Sequence, residues 1–249
     1  MSVLCEPSLA SYPSVGPDFR GRTGSMSPKR AMLPTPPSML RNRPRPIPNS
    51  YWATPYLVAC EFPYCPLTPA EIARKKTKQK LDALLTAGVR TFIDLTEPHE
   101  LFPYYPHLSE RCALLGINVS EVEYHNFPIR DRSLPESVEY VRRILEVLRD
   151  NQRRGRISAV HCRGGIGRTG MVVGCWLVES GVARDGAHAL QLIAEEWKMV
   201  EKCKRFPCSP ETGPQFEFVR NFSRSPSPSV PPSLAPSRAP SPSAPVATL

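Results

Sequence analysis

One short segment constrains this chain more than any other part of its sequence. It reads HCRGGIGRTG and occupies positions 161–170. The apolar run 157–160 precedes it, and an apolar stretch with helical spacing follows it as far as Glu179. The pattern predicts a buried strand, a glycine-rich turn and a helix in direct succession. In α/β proteins, a turn at the carboxyl end of a central strand is a common place for a ligand.

The sequence around this segment alternates between predicted strands and predicted helices. Strands are expected at 56–59, 89–95, 117–124 and 157–160. Helices are expected at 69–87, 169–179, 184–199 and 214–222, with a short one ending near Gly116 and another opening at Ser133-Leu-Pro-Glu136, which has the spacing of a capping box. This alternation predicts an α/β layer fold.

The two ends of the chain differ from its middle in composition. The sequence has 30 prolines, which is roughly twice the average usage of about 5%, and they are concentrated at the ends. Residues 1–48 are rich in Pro, Ser and Arg, and residues 223–249 are rich in Ser and Pro. Such segments bury too little apolar surface to offset the entropy of ordering. We therefore expect two disordered tails around one domain at 49–222.

Charge is also concentrated in the tails. The net charge is +9, of which residues 1–50 contribute +5 and residues 223–249 contribute +2, so the middle carries only +2. A domain this close to neutral, without a stripe of aromatic residues among its Lys and Arg, argues against nucleic-acid binding. No stretch approaches the ~18 apolar residues of a membrane span, so no membrane-spanning segment is expected.

The eight cysteines are expected to be free thiols. The domain is large, no secretory hydrophobic segment is evident, and Cys112 and Cys175 lie in apolar helical runs, where free Cys acts as a small hydrophobe. These observations predict a reducing compartment, which is the cytoplasm, the nucleus or both.

The residue types at 161–170 suit the binding and attack of an anion. A glycine-rich turn that enters a helix N-terminus directs several backbone N–H groups at one point, and the helix dipole adds positive potential there. Cys162 begins the turn, where this field stabilises its thiolate. Arg168 ends the turn with a planar fork that can hold two phosphate oxygens. The alternative, a structural cysteine buried beside a glycine turn, leaves the surrounding residues unexplained.

This segment resembles the signature loop of the protein tyrosine phosphatases, which is His-Cys, five residues, then Arg followed by Ser or Thr. The number of residues between Cys162 and Arg168 distinguishes the segment from rhodanese-like loops. Its position late in the chain distinguishes it from the loop of low-molecular-weight phosphatases. The resemblance covers roughly residues 50–222 and is to the small, dual-specificity-like branch. It implies the fold of that family, with a central, mostly parallel sheet flanked by helices. It also implies hydrolysis through a phosphocysteine intermediate, without a metal or other cofactor.

The resemblance assigns roles to individual residues. Cys162 is the nucleophile, the Thr169 hydroxyl assists its departure from the intermediate, and His161 orients the loop. Phosphate binding falls to the loop itself, which comprises Arg163, Gly164, Gly165, Ile166, Gly167 and Arg168. The side chain of Arg163 is expected to point outward.

A general acid is expected at Asp131, which lies 31 residues before Cys162. Its segment, Phe127 to Pro135, resembles the mobile acid loop of small dual-specificity-like phosphatases. That likeness implies that Asp131 protonates the leaving oxygen and then deprotonates water. The alternative is that Asp131 only flanks the following helix, although Ser133 is the predicted cap. The Trp-Pro-Asp form of the larger tyrosine phosphatases is absent.

A last candidate is Gln215. The segment Ser209–Gln215 resembles the loop whose Gln positions the hydrolytic water in many tyrosine phosphatases. The alternative is that Gln215 simply begins the last helix.

Several substrate classes remain open. The preferred interpretation is a phosphotyrosine or dual-specificity protein phosphatase that acts on phosphorylated proteins. One alternative is a phosphatase that acts on a phosphoinositide or on an RNA 5′-triphosphate. Another is a catalytically silent module for phosphate binding or kinase docking. Gly164, Gly165 and Ile166 stand where lipid-directed relatives often carry two lysines, which argues against phosphoinositides. Ser-Pro pairs in the tails resemble proline-directed kinase sites, common in any such tail, and a kinase or cyclin-type partner is a hypothesis for them. We expect a monomer.

Overall fold

The computed structural model describes residues 43–63 and 70–225, and they form an α/β layer fold. They contain five strands: β1 Ser50–Thr54, β2 Leu57–Cys60, β3 Val89–Asp94, β4 Glu123–Asn126 and β5 Ile157–His161. They also contain six α-helices: α1 Ala70–Thr86, α2 Leu108–Leu114, α3 Val138–Arg153, α4 Gly167–Glu179, α5 Gly186–Trp197 and α6 Gly213–Arg220. The predicted fold class is confirmed.

The glycine-rich turn follows the central strand of the sheet. Its strand order is β1-β2-β5-β3-β4, so β5 lies between β2 and β3. β1 pairs antiparallel with β2, and the other neighbouring pairs are parallel. His161, at the carboxyl end of β5, stands opposite Cys60 on one side and Asp94 on the other. The turn after His161 therefore lies at the carboxyl end of the central strand, which is where α/β sheets bind ligands.

Helices cover both faces of the sheet. Helices α3 to α6 pack on one face around Ala59 and Val160, and helices α1 and α2 pack on the other around Val58 and Phe92. Every residue of α4 is buried, which explains why residues 170–178 are apolar on all sides of the helix. Among the described residues, no helix combines the length and the apolar character needed to cross a membrane.

The packed domain begins before the predicted boundary at residue 49. Ile47 is buried, and the indole of Trp52 donates a hydrogen bond to the carbonyl of Pro44 (3.0 Å). The guanidinium of Arg43 lies 3.4 Å from the centre of the same indole ring. Sequence analysis assigned Arg43, Pro44 and Ile47 to the tail and missed β1, because the strand follows directly on a proline-rich stretch.

Most of the two predicted tails, residues 1–42 and 226–249, lies outside the described residues. Their expected disorder and their Ser-Pro pairs therefore stay predictions. Cys5 and Cys65 also lie outside. The described cysteines are free thiols: Cys60, Cys112, Cys162, Cys175, Cys203 and Cys208.

One predicted strand is shorter than expected. The prediction of a strand at 117–124 is wrong over its first part, which is a 3₁₀ turn at Val119–Glu121 that leads into β4. The side chain of Asn118 accepts a hydrogen bond from the backbone N–H of Ser120 (3.1 Å). Asn favours such local turns over a strand because its side chain competes for backbone N–H groups.

The start of α3 also differs from the prediction. Ser133 was the predicted cap, but Ser137 caps the helix, its Oγ accepting a hydrogen bond from the Tyr140 N–H (3.1 Å). Pro135 disfavours helical geometry at the residue before it, which keeps Leu134 out of the helix. The segment from Asp131 to the helix is therefore a longer loop than the sequence predicted.

Candidate active site

The turn between β5 and α4 carries Cys162, whose residue surface is 3% exposed. Gly165 in this turn has φ +73°, in the left-handed region that favours glycine. A Cβ at this position would lie 2.6 Å from the carbonyl group of Cys60 and 2.7 Å from the amide nitrogen of Glu61. The close approach of the turn to the end of β2 therefore requires glycine at 165.

The carbonyl groups of the turn accept hydrogen bonds from residues outside the turn. The N–H of Phe62 donates to Arg163 O (3.3 Å), and Nζ of Lys202 donates to Gly164 O (3.1 Å). Ser209 Oγ donates to the carbonyl of the residue before α4 (2.8 Å). The amides of residues 163–166 donate to no other residue in the described part of the chain. These amides and the N-terminus of α4 can together bind an anion above Cys162.

Arg168, at the end of the turn, is 1% exposed. Its Nη1 donates to the carbonyls of Leu95 (3.3 Å) and Ile129 (2.9 Å). Glu100 accepts a hydrogen bond from each Nη atom, both at 2.7 Å, and Asp131 Oδ1 accepts one from Nη2 at 2.8 Å. Nε donates to no residue in the described part of the chain. The guanidinium is thus held in one orientation by its neighbours.

Glu100 is a site residue that the sequence analysis missed. Burial opposes its ionisation, but the hydrogen bonds with Arg168, a backbone hydrogen bond from Glu97 and the nearby positive charges together outweigh burial and lower the pKa of Glu100. Burial also disfavours the Arg168 cation, but its hydrogen bonds to Glu100 and the nearby negative charges raise the pKa of Arg168. Both groups are therefore charged. The sequence signal that could have identified Glu100 was its position shortly after β3. That position becomes informative only once the strand order shows that β3 lies beside β5.

The loop before α3 brings Asp131 to Arg168. The N–H groups of Phe127 and Ile129 donate to the carbonyls of Asp94 (2.8 Å) and Leu95 (3.1 Å), continuing the alignment with β3. On the other side of Asp131, the Ser133 carbonyl accepts a hydrogen bond from the side chain of Gln215 (3.1 Å). The Asp131 side chain is half exposed. The resemblance implied a mobile loop, and in this structure the loop is anchored on both sides of its acid.

His161 is fully buried in a polar network behind the turn. Its Nε2 lies 2.6 Å from the hydroxyl of Tyr104, and its Nδ1 lies 3.7 Å from Oδ1 of Asp94. Tyr124 donates a hydrogen bond to the other oxygen of Asp94 (2.8 Å). Burial lowers the pKa of His161, so its imidazole is neutral near pH 7. A neutral, held imidazole fits the predicted role in orienting the turn.

Thr169 follows Arg168 and is fully buried. Its hydroxyl has no hydrogen-bond partner among the described residues. A buried polar group without a partner is uncommon and often belongs to a functional site. The predicted contact with Cys162 is not formed here, so the hydroxyl is available for a group that arrives during a reaction.

Gln215 is buried at the start of α6, the alternative left open by the sequence. Its Oε1 accepts hydrogen bonds from the N–H groups of Glu211 and Thr212, each at 3.2 Å. Its Nε2 donates to the carbonyl of Ser133. The side chain therefore joins the first turn of α6 to the loop that carries Asp131. The predicted role with water would require these bonds to break.

The turn and the Asp131 loop meet in one open depression of about 650 Å³, whereas His161, Thr169 and Gln215 lie behind its surface and do not line it. Cys162, Asp131 and Arg168 all line it, together with Arg163, Gly164, Ile166 and Gly167 of the turn. Arg163 is exposed, as expected. In the described part of the chain, no group of three or more His, Cys, Asp or Glu side chains is placed to hold a metal ion. The depression combines a thiol, an anion cradle and a carboxyl group.

This combination agrees with a comparison against known families. Residues 65–216 match the family described as PTP-SAK, Swiss Army Knife protein, DSP-PTPase phosphatase domain. The chain belongs to this family. The match spans the turn, the Asp131 loop and Gln215, so the resemblance to dual-specificity-like phosphatases is confirmed for the domain.

Individual relatives agree with the family. The chain is 31% identical over 110 residues to 067L of Invertebrate iridescent virus 3, which is named as a tyrosine phosphatase; the match covers 40% of this chain and 38% of the viral protein. It is 25% identical over 183 residues to protein tyrosine phosphatase domain-containing protein 1 of Mus musculus, covering 72% of this chain and 22% of that protein. Each match therefore spans less than half of the relative's own length.

Solved structures show the same fold. The active form of Tk-PTP has a TM-score of 0.51 and 24% identity, covering 70% of this chain and 96% of that chain. Kinase-associated phosphatase, with its catalytic-site cysteine replaced by serine, has a TM-score of 0.51 and 22% identity, covering 67% and 84%. These likenesses confirm a protein tyrosine phosphatase-like fold with a mostly parallel sheet.

Proposed function

We propose that this phosphatase domain is a cysteine-dependent protein phosphatase of tyrosine or dual specificity. One observation carries the proposal. The thiol of Cys162, the guanidinium of Arg168 and the carboxyl of Asp131 face the same depression, over the N-terminus of α4. This is the arrangement that a phosphate monoester needs for in-line attack, charge stabilisation and protonation of its leaving oxygen.

In the first step, the thiolate of Cys162 attacks phosphorus. The sulfur–phosphorus bond forms while the bond to the leaving oxygen breaks, and that oxygen keeps the electron pair. Asp131 supplies the proton that the leaving oxygen takes up. The turn amides and Arg168 stabilise the negative charge on the other three oxygens.

The hydrogen bonds of Arg168 suggest how substrate binding frees the acid. A bidentate contact with phosphate uses two N–H groups on one edge of the guanidinium. Nη1 already donates to Glu100 and to two carbonyl groups. Nη2 donates to Glu100 and to Asp131, and Nε has no partner among the described residues. An arriving phosphate therefore competes with Asp131 for Nη2. Once displaced from Arg168, the Asp131 carboxylate takes up a proton from solvent and can then donate that proton to the leaving oxygen.

In the second step, water attacks the phosphocysteine. The water oxygen bonds to phosphorus, the sulfur–phosphorus pair returns to Cys162 as a thiolate, and Asp131 accepts a proton from the water. The unpartnered hydroxyl of Thr169 can donate a hydrogen bond to the departing thiolate. Phosphate then leaves and the thiolate is ready for another cycle.

The test uses the full-length chain with p-nitrophenyl phosphate, a phosphotyrosine peptide and a phosphothreonine peptide. We expect hydrolysis of the first two without added metal and with a chelator present. Hydrolysis that the chelator abolishes would contradict the mechanism. Binding of phosphopeptides without any hydrolysis would instead support the alternative of a catalytically silent phosphate-binding module.

Replacement of Glu100 by glutamine tests the orientation of Arg168. Glu100→Gln removes one charge and one of two hydrogen bonds to the guanidinium, and we expect kcat/KM for p-nitrophenyl phosphate to fall about tenfold, since hydrogen bonds to charged groups contribute about 1.5–3 kcal/mol. Steady-state kinetics measures this. Glu217→Gln, at an exposed residue that pairs with Arg220, is the matched control. Equal kcat/KM in Glu100→Gln and the parent chain would remove Glu100 from the site.

Gln215→Ala distinguishes a role in anchoring from a role with water. The substitution leaves the N–H groups of Glu211 and Thr212 and the Ser133 carbonyl without a partner, which costs about 1–2 kcal/mol. For a domain of this size we expect the melting temperature to fall by about 2–8 °C. A residue that only orients water would leave the melting temperature unchanged while slowing hydrolysis of the phosphocysteine, which pre-steady-state kinetics would detect.

A further inference from the structure

The depression is larger than the reaction centre, and its outer wall is basic. Beyond Cys162 and Arg168, its wall includes Arg163 from the turn and Lys202 and Arg205 from the segment after α5. We call Arg163, Lys202 and Arg205 the basic rim. A volume of about 650 Å³ is in the range of sites that enclose ligands larger than one side chain, about 300–1,000 Å³. The rim is therefore open to a part of the substrate other than the phosphate.

The charges of the rim are incompletely neutralised. Arg163 and Arg205 are exposed, and neither forms an ion pair with a residue that the structure describes. Arg205 contacts the face of Phe206, with its guanidinium carbon 5.4 Å from the ring centre. Lys202 lies 2.6 Å from Glu61, but the same carboxylate also binds Lys80 at 2.6 Å, so one acid serves two lysines.

This surplus is local to the depression. Residues 51–222 together carry only +2, so a general excess of Lys and Arg in the domain does not account for the rim. Like charges that line one depression repel one another when carboxylates neutralise them only in part, and an anion bound between them relieves that repulsion. The rim is therefore suited to a second negative group near the phosphate that Cys162 attacks.

A second, smaller depression favours a peptide as the carrier of that group. It has a volume of about 350 Å³ and shares Leu101 and Arg163 with the first. Phe102, which is 72% exposed, and Pro103 also line it. A peptide can place an apolar side chain here and an acidic side chain on the rim at the same time. A soluble inositol phosphate would use the cations and leave the apolar surface empty.

We propose that the basic rim selects phosphopeptides with a second negative charge, from Asp, Glu or a second phosphorylated residue, close to the phosphorylated residue. This inference rests on the proposed phosphatase function. It adds the class of substrate: acidic or doubly phosphorylated segments of proteins. Contacts between Arg and carboxylate or phosphate are charge-assisted, and the partly exposed rim moderates their strength.

The test compares two phosphotyrosine peptides that differ only in their flanking residues, acidic in one and alanine in the other. For the full-length chain we expect the ratio of kcat/KM, acidic over alanine, to be about tenfold or more. Arg163→Gln and Arg205→Gln should each lower this ratio, and the double variant should bring it below about threefold. Added NaCl should also lower the ratio in the parent chain because it screens charges.

The matched control is Arg153→Gln, at an exposed arginine on α3, which should keep the ratio of the parent chain. A ratio near one in the parent chain, with both peptides hydrolysed, would overturn the rim proposal and leave the phosphatase function intact. Failure to hydrolyse p-nitrophenyl phosphate would overturn the function itself. A soluble inositol phosphate turned over faster than the acidic peptide would overturn the assignment to peptides. The salt dependence needs no variant, so misfolding of a variant cannot hide the outcome.

Discussion

Cys162→Ser is expected to lower the turnover of every phosphate monoester substrate by at least about 10⁴-fold, as removal of a catalytic nucleophile does elsewhere. A serine hydroxyl in the same turn is not ionised near neutral pH, so neither the turn amides nor the α4 dipole can make it a comparable nucleophile. Binding should survive, because the amides of residues 163–166 and the Arg168 guanidinium are unchanged. Kinetics with p-nitrophenyl phosphate, paired with phosphopeptide binding, measures both quantities.

The control for this variant is Cys208→Ser, which changes an exposed free thiol outside the depression. It should keep the activity of the parent chain. If Cys162→Ser retained more than about a tenth of the parent activity, a different group would be attacking phosphorus, and the nucleophile assignment would be wrong.

Asp131→Ala is expected to lower kcat for phosphotyrosine substrates by about 10²–10⁴-fold, the usual contribution of a general acid. The loss should be smaller for p-nitrophenyl phosphate, because nitrophenolate is a much weaker base than the tyrosine phenolate and leaves with less help from a proton donor. The variant also removes the carboxylate that competes with phosphate for Nη2 of Arg168. We therefore expect KM to fall together with kcat, so that the variant holds its substrate.

Asp150→Ala is the matched control, since Asp150 is a partly exposed acid on α3 with an ion pair to Arg154. It should change neither kcat nor KM. A loss below tenfold in Asp131→Ala, or an equal loss for the two leaving groups, would mean that another carboxyl group supplies the proton. Glu211, which also lines the depression, would be the first to replace.

The core of the site could be predicted from sequence because its determinants are local. The strand β5, the glycine-rich turn and helix α4 are consecutive, so one segment specifies Cys162, Arg168 and the anion cradle between them. Asp131 came from the resemblance, and the structure brings it to 2.8 Å from Arg168. The apolar stripe of α3 could also be predicted from local sequence, and its buried residues include Val141, Leu145 and Leu148.

Other parts depend on contacts between distant residues and could not be read locally. Glu100 reaches Arg168 across 68 positions, and no spacing rule connects them before the strand order is known. The rim residue Arg205 is likewise brought beside the turn only by the packing of the segment after α5. Gln215 was identified, but its binding to Ser133 depends on the way α6 packs beside the Asp131 loop. The predicted cap of α3 was wrong because Ser133 and Ser137 are both of a residue type that caps helices, and only Pro135 distinguishes the two positions.

The central claim is that the phosphoryl group passes through the sulfur of Cys162. The most direct measurement is rapid acid quenching of Asp131→Asn during turnover of p-nitrophenyl phosphate, followed by peptide mapping with mass spectrometry. In this variant the leaving group needs little acid, but water attack loses its base, so the intermediate should accumulate. We predict a phosphoryl group on the peptide that contains Cys162, and on that cysteine. A phosphoryl group on any other residue, or continued turnover with no phosphorylated enzyme at any quench time, would contradict the account.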